Sequence, residues 1–141
     1  MPETVLGIDF GQKRIGLAIG QSFTANANPL KVIGNNKDTL NQLQQVIKEW
    51  QINRVVVGLP LTMDGEEQTI TRQVKNFAKK LRHTSGLPVE FCDERLSSYE
   101  AERGFQQQRQ QQTRKAKHKN NLDAEAAAII LQSWFNQRTE T

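Results

Sequence analysis

Acidic residues at the ends of apolar segments are the side chains of this 141-residue sequence best suited to chemistry. Asp9 closes the first apolar segment, Asp93 and Glu94 follow a later one, and Asp123 stands at the start of the last. A carboxylate at the end of a buried segment loses hydration, and this cost is tolerated mainly where the charge is paired, hydrogen-bonded or bound to a metal ion. We therefore ask which elements would bring these acids together.

The first part of the sequence predicts three antiparallel strands and a helix. Residues 4–10 and 14–20 are apolar runs joined by a short polar turn, which is typical of a β-hairpin. Residues 29–33 predict a third, short strand. From Asp38, the expected N-cap, apolar residues recur every three or four positions as far as Trp50, which predicts a helix with one buried stripe.

The next part predicts a strand, a loop and a helix. The Val-rich run 54–58 has the composition of a strand covered on both faces, and the loop 59–65 follows it. Apolar residues at helical spacing over 70–81 then predict an amphipathic helix, with Glu66 and Glu67 in its first turn.

The last third predicts another strand and two helices. Residues 88–92 form a short apolar strand, and 97–100 has the S-x-x-E pattern of a capping box that opens a helix. The Gln-rich and basic segment at about 106–121 predicts a mobile surface connection. The final helix is expected from Leu122 to about Gln137.

These elements predict a single α/β domain over 1–141, with a mixed five-stranded sheet of three antiparallel strands followed by two parallel strands, flanked by helices. The first strand would run parallel to the two later ones, so their carboxyl ends share one edge. With strands about 4.8 Å apart and one strand between them, the backbones of Asp9 and Glu94 would lie about 10 Å apart, which lets their side chains converge. Asp123 joins them if the last helix begins there. Ligands of open α/β sheets bind at this edge.

Three carboxylates in one place raise one another's pKa unless a cation neutralises them. Because no His or Cys accompanies them, the oxygen donors favour Mg²⁺ or Mn²⁺ over Zn²⁺. Two such ions can activate water on one side of a phosphodiester and stabilise the leaving oxygen on the other. Lys13, Arg14 and Arg95 are adjacent in sequence to the acids, where they either hold phosphates or are solvated or paired with the acids. The predicted chemistry is metal-assisted hydrolysis.

The net charge of +4 is concentrated in one segment. Outside that segment positive and negative residues are equal in number, so the excess comes from Arg114, Lys115, Lys117 and Lys119. Such a run favours a polyanionic partner, and a solvated loop is the alternative.

The only cysteine, Cys92, excludes an intrachain disulfide and a cysteine-rich zinc site, and favours the reducing cytoplasm. No apolar run approaches the roughly 20 residues of a membrane span, and the N-terminus lacks a signal pattern, so we expect no membrane partner.

Four segments, in order, resemble signatures of the YqgF (RuvX-like) family in the RNase H-like and Holliday-junction-resolvase-like superfamily. They are GIDFGQKRIGLA at 7–18, GLPLTMDG at 58–65, DERLSS at 93–98 and LDAEAAAIILQ at 122–132. The resemblance covers about 4–135 and implies an RNase H-like fold. It carries the family's catalytic and metal-binding acids onto Asp9, Glu94 and Asp123, although Asp93 remains an alternative to Glu94.

The resemblance also implies a function: a hydrolase that processes the 5′ end of pre-16S rRNA during ribosome biogenesis, with Mg²⁺ or Mn²⁺. Pre-ribosomal particles are further expected partners. The residues assigned to substrate binding are Lys13, Arg14, Thr62, Arg95, Arg114, Lys115, Lys117 and Lys119. The sequence departs from the family pattern at Thr62, where Asn is usual, and before Asp123, where Asn120, Asn121 and Leu122 replace an expected basic residue and Val. Neither departure removes a proposed ligand.

Three other functions remain open at this point. A Holliday junction resolvase would act on four-way DNA, and a non-catalytic RNA-binding or ribosome-assembly factor would use the basic segment alone. Asp9 with Gly11 also resembles the first phosphate loop of actin-like ATPases and sugar kinases, but those enzymes close two lobes over ATP and this chain has the length of one domain. The oligomeric state is not indicated by the sequence.

Overall fold

The computed structural model describes residues 3–94 and 118–139, with the side chains of the last helix described over 122–138. In this part the elements are β1 Thr4–Phe10, β2 Arg14–Gln21, β3 Asn26–Gly34, α1 Thr39–Trp50, β4 Arg54–Leu59, α2 Thr69–Ser85, β5 Val89–Asp93 and α3 His118–Thr139. None of these helices has both the length and the apolar character needed to cross a membrane.

The five strands form one mixed sheet in the order β3-β2-β1-β4-β5. The pairs β1–β2 and β2–β3 are antiparallel, and the pairs β1–β4 and β4–β5 are parallel. The predicted sheet is confirmed, and the carboxyl ends of β1, β4 and β5 share one edge. β4 lies between the strands that end near Asp9 and Glu94.

Alternation of side chains along the strands divides the core into two layers. Leu6 and Ile8 of β1 are fully buried on the face covered by α1 and α2. Val5 is buried on the opposite face, under Leu131 and Trp134 of α3. Both faces of the central strands are therefore covered, as the uninterrupted apolar run of β4 predicts.

Helix α3 lies very close to the sheet because glycines face it. A Cβ built at Gly7 would lie 2.8 Å from Leu131 Cβ, and one at Gly16 would lie 2.0 Å from the carbonyl oxygen of Asp123. Contacts this short do not occur between real atoms, so any larger residue would push the helix away from the sheet. Gly16 therefore lets the turn of α3 that contains Asp123 contact the backbone of β2.

Two predicted helix starts were wrong. Helix α2 begins at Thr69, so Glu66 and Glu67 precede its first turn. The N–H of Gln68 donates to Thr71 Oγ1 at 2.9 Å, and this reciprocal cap fixes the start of the helix at that point. Helix α3 begins at His118 and not at Leu122, so the last residues of the predicted connection are helical.

Two further predictions differ from the structure. Strand β3 is longer than 29–33 because it pairs with β2 along most of its length, from Arg14↔Gly34 to Gln21↔Asn26. Trp50 was expected in the core but is 44% exposed, since it ends α1 just before the chain turns at Gln51 with φ 53°. The helix predicted from 97 and the connection over 106–117 lie outside the described residues.

Candidate functional site

Asp9 lies one residue before the end of β1, on the face of the sheet that α3 covers. Its Cα partner across the hairpin is Gly16 of β2. Val5 and Gly7, which share its face by alternation, both lie under α3. The first predicted carboxylate is therefore partly buried between the sheet edge and the last helix.

Asp123 reaches this edge because Gly16 has no side chain. The carbonyl oxygen of Asp123 occupies the space that a Cβ at Gly16 would need, and Gly16 is the partner of Asp9. The Asp123 carboxylate accepts a hydrogen bond from Arg14 Nε, with 2.8 Å between Nε and Oδ2. The second turn of α3 thus supplies a second acid, already paired with a cation from β2.

Glu94 follows β5, and its side chain lies over β4. A Cβ built at Gly58 would be 2.8 Å from Glu94 Oε1 and 2.6 Å from Ile130 Cδ1 of α3. The Glu94 carboxylate therefore occupies the place of a missing side chain on β4, on the same face as Asp9 and one strand away from it. The three acids that the sequence singled out therefore lie at the same edge of the sheet.

The electrostatics agree with this convergence. Burial first, and then the negative charges of Glu94 and Asp123, raise the pKa of Asp9 from 3.8 to about 7. Burial, followed by the charge of the adjacent Asp93, also raises the pKa of Glu94. Keeping both Asp9 and Glu94 ionised is therefore costly, and a bound cation would relieve that cost.

The donor chemistry at this edge fits a hard divalent cation. The acids offer only oxygen donors, and burial raises the pKa of the neighbouring Cys92 thiol to about 11, which keeps it protonated and a poor ligand. Among the side chains described, those of 3–94 and 122–138, no three from His, Cys, Asp or Glu are gathered as a ready ligand set. Asp123 is paired with Arg14 instead.

The other residues predicted to bind substrate have different positions. Lys13 is exposed in the β1–β2 turn. Thr62 closes a turn of the loop, because its Oγ1 accepts the N–H of Glu66 at 3.0 Å and its carbonyl oxygen accepts the N–H of Gly65 at 2.8 Å.

The remaining predicted residues fall largely outside the described part of the chain. These are Arg95, Arg114, Lys115 and Lys117. Lys119 belongs to the first turn of α3, but its side chain is not among those described.

Sequence reasoning missed two features of this region. Gly58 makes room for Glu94, and Gly16 makes room for Asp123 in the second turn of α3. These contacts are visible only in the packed structure. The second feature is the exposed face of α2, which carries Lys and Arg but no acid. This signal was available in the sequence, because 69–85 contains no Asp or Glu.

Comparisons with known proteins agree with this architecture. A family model described as RuvX, Holliday junction resolvase, matches residues 3–137. A protein of Klebsiella pneumoniae (strain 342) is 42% identical over 97% of this chain and 99% of the relative, and one of Proteus mirabilis (strain HI4320) is 45% identical over 96% of each. Both relatives carry the name "Putative pre-16S rRNA nuclease".

Solved structures share the fold at low sequence identity. Thermus thermophilus RuvC in complex with a Holliday junction substrate is 19% identical, covers 96% of both chains and superposes with a TM-score of 0.63. A second structure of Thermus thermophilus RuvC gives a TM-score of 0.58. The mixed sheet with its flanking helices is an RNase H-like α/β fold, and the chain belongs to the RuvX family of nucleases.

Proposed function

We propose that this protein is a divalent-metal-dependent endonuclease that hydrolyses RNA phosphodiesters and processes the 5′ end of pre-16S rRNA. Its place of action is the cytoplasm, on free precursor or on pre-ribosomal particles. The names of the relatives support the substrate, and membership of a nuclease family supports the reaction class.

The observation that carries this proposal is the meeting of three acids from three separate elements at one sheet edge. Asp9 comes from β1, Glu94 follows β5, and Asp123 comes from the second turn of α3. Structural acids are normally spread apart or paired with cations, since close carboxylates repel. The space at Gly16 and Gly58 lets Asp123 and Glu94 approach the edge where Asp9 lies, and this favours a cationic ligand there.

Asp9, Glu94 and Asp123 would hold Mg²⁺ or Mn²⁺ in this proposal. The bound metal supplies an activated water and neutralises charge on the phosphate that is cleaved. The protein's own contribution is to fix the acids on a rigid sheet and a packed helix, so that little reorganisation is needed. Lys13 and Arg14 stand at the same end of the hairpin, and in this proposal they contact phosphate oxygens.

The decisive experiment uses purified protein and a pre-16S rRNA fragment that keeps its 5′ extension, in buffer with Mg²⁺. The wild type is expected to shorten the fragment, and Asp9→Asn is expected to abolish cleavage while preserving the fold. Asp64→Asn is the matched control, because Asp64 is an exposed acid of the 59–65 loop. Cleavage by Asp9→Asn at the wild-type rate would overturn the mechanism.

Resolution of four-way DNA is the second candidate. It is favoured by the description of the matching family model as Holliday junction resolvase. The same preparations are tested on a synthetic four-way DNA junction and on a linear duplex of the same sequence. Junction cleavage without RNA cleavage would reassign the substrate, and RNA binding without any cleavage would favour an assembly factor.

A further inference from the structure

Helix α2 has an unusually one-sided charge distribution. Over Thr69–Ser85 it carries five Lys and Arg residues and no Asp or Glu. Its core-facing side is formed by residues such as Val74 and Leu81, and all five cations are exposed on the opposite side. We call this the α2 basic face, and it consists of Arg72, Lys75, Lys79, Lys80 and Arg82.

The cations of the α2 basic face repel one another. Lys75 and Lys79 are four residues apart, and Lys79 and Arg82 are three apart, which are the spacings at which helical side chains meet. Like charges at these spacings destabilise a helix. A purely solvated face would be more stable with alternating signs, so the arrangement favours a role for the positive charge itself.

Local partners account for only part of this charge. Lys75 forms an ion pair with Glu67. Arg82 lies in the last turn, where the helix dipole favours a cation. Lys79 and Lys80 have neither explanation, and among the described residues neither they nor Arg82 form an ion pair with a carboxylate.

The α2 basic face also has a shape and a position that suit an extended ligand. Asn76 and His83 join Lys79, Lys80 and Arg82 around an open depression of about 640 Å³. The first turn of α2 is attached to the site edge, because Thr71 Oγ1 donates to the carbonyl oxygen of Pro60.

A second contact ties the same turn of α2 to the hairpin that carries Asp9. Gln12 Nε2 donates to Gln73 Oε1 at 3.4 Å. From Arg72 the face runs about 15 Å along the helix to Arg82. The cations therefore lead away from the edge where the acids meet.

We infer that the α2 basic face binds the sugar–phosphate backbone of the RNA substrate outside the cleavage site. This inference rests on the proposed function for the class of substrate. The exposed residues of the helix are all polar, whereas helices that bind membrane surfaces place large apolar residues beside their cations. Contacts of this kind position RNA without reading its sequence, so they add affinity and register and not base preference.

The test replaces Lys79, Lys80 and Arg82 with Ala in the full chain. Binding to a fluorescently labelled single-stranded RNA of about 20 nucleotides is followed by anisotropy over a salt series without divalent metal. Loss of three phosphate contacts should reduce the slope of log K against log salt by about 2, which corresponds to about hundredfold weaker binding at 0.1 M salt. Because Ala is the best helix former, the helix should remain intact, which circular dichroism checks.

The matched control replaces Lys31, Lys37 and Lys48 with Ala, which removes the same net charge from exposed positions elsewhere. The control should leave the salt slope unchanged. An unchanged slope in the α2 variant, an equal loss in the control, or binding of anionic vesicles in preference to RNA would each overturn the inference. If the wild type binds RNA with the expected α2 dependence but cleaves nothing, the proposed function fails and the binding surface stands.

Discussion

Arg14 and Asp123 are joined by an ion pair, with 2.8 Å between Arg14 Nε and Asp123 Oδ2. The pair connects the start of β2 to the second turn of α3, and Asp123 is one of the three proposed metal ligands. The two side chains are 45% and 30% exposed. An ion pair with this exposure contributes only about 0–1 kcal/mol, so a divalent ion can displace the guanidinium.

Replacing Arg14 with Gln should strengthen metal binding in the absence of RNA. The Asp123 carboxylate would no longer have to give up a partner, and the gain is limited by the strength of the pair, up to about fivefold in Kd. Titration calorimetry with Mn²⁺ measures it. Lys13→Gln is the control, because it removes an exposed cation one position away from Arg14. Equal gains in both variants would assign the effect to net charge.

The carboxylate cluster should make the stability of the metal-free protein fall as pH rises. The folded protein holds the proton of Asp9 more tightly than the unfolded chain does, since its pKa is raised from 3.8 to about 7. The contribution of the Asp9 proton to the free energy of unfolding is therefore complete at low pH and is lost between about pH 4 and pH 7. Asp9→Asn removes this loss, so its Tm should exceed that of the wild type by more at pH 8 than at pH 5.

Two controls accompany the pH experiment. Glu94 has a pKa shifted in the same direction, so Asp9→Asn should retain part of the pH dependence. Asp64→Asn, which changes an exposed acid, should leave the wild-type profile unchanged. Added Mg²⁺ should raise the Tm of the wild type at pH 8 and that of Asp9→Asn much less. A constant Tm difference across pH would contradict the burial of an ionisable cluster.

Sequence periodicity was sufficient to predict the sheet but not the ends of the helices. The alternating pattern of β1 and β2 predicts an antiparallel pair, and the uninterrupted apolar run of β4 predicts a central strand. Burial on one face or on two faces produces these distinct hydrophobic patterns in the sequence. Helix ends depend on single hydrogen bonds, such as the Gln68 cap of α2, which periodicity does not report. Trp50 follows the apolar spacing but lies where the helix ends, so it remains exposed.

The acids of the site were identifiable in sequence, whereas the geometry that unites them was not. Asp9 lies near the end of an apolar strand and Glu94 follows another, so both can be identified from the neighbouring sequence. Their approach depends on the absence of a side chain at Gly58, and that of Asp123 on Gly16, two positions set by packing across the sheet. A glycine in a strand signals close approach in general, but not which element approaches.

Replacing Glu94 with a neutral residue should reduce kcat much more than the same kind of replacement at Asp93. The Glu94 carboxylate lies over Gly58 on the α3 face, whereas alternation turns Asp93 toward the other face of β5. Glu94→Gln should lower kcat by about a hundredfold or more, because a metal ligand contributes several kcal/mol. Asp93→Asn should lower kcat by less than about tenfold. Cleavage of the pre-16S fragment under single-turnover conditions measures both, and the reverse order would make Asp93 the ligand.

Gly58→Ala should weaken metal binding although Gly58 contributes no ligand. Its Cβ would lie 2.8 Å from Glu94 Oε1, so the carboxylate must move from its present position. Displacing a ligand in this way typically costs about 10- to 100-fold in metal affinity. The added methyl also crowds Ile130, which should lower stability by about 1–3 kcal/mol. Mn²⁺ calorimetry and thermal melts separate the two effects.

Gly20→Ala provides the matched packing control for this variant. A Cβ there would lie 2.7 Å from the Phe135 ring and from the Asn26 carbonyl oxygen, with no carboxylate nearby, so stability should fall while Mn²⁺ affinity is kept. Adding Glu94→Asp to Gly58→Ala should restore part of the lost affinity, because the shorter side chain withdraws from the new methyl. If the double variant binds Mn²⁺ no better than Gly58→Ala alone, crowding of Ile130 and not displacement of Glu94 explains the loss.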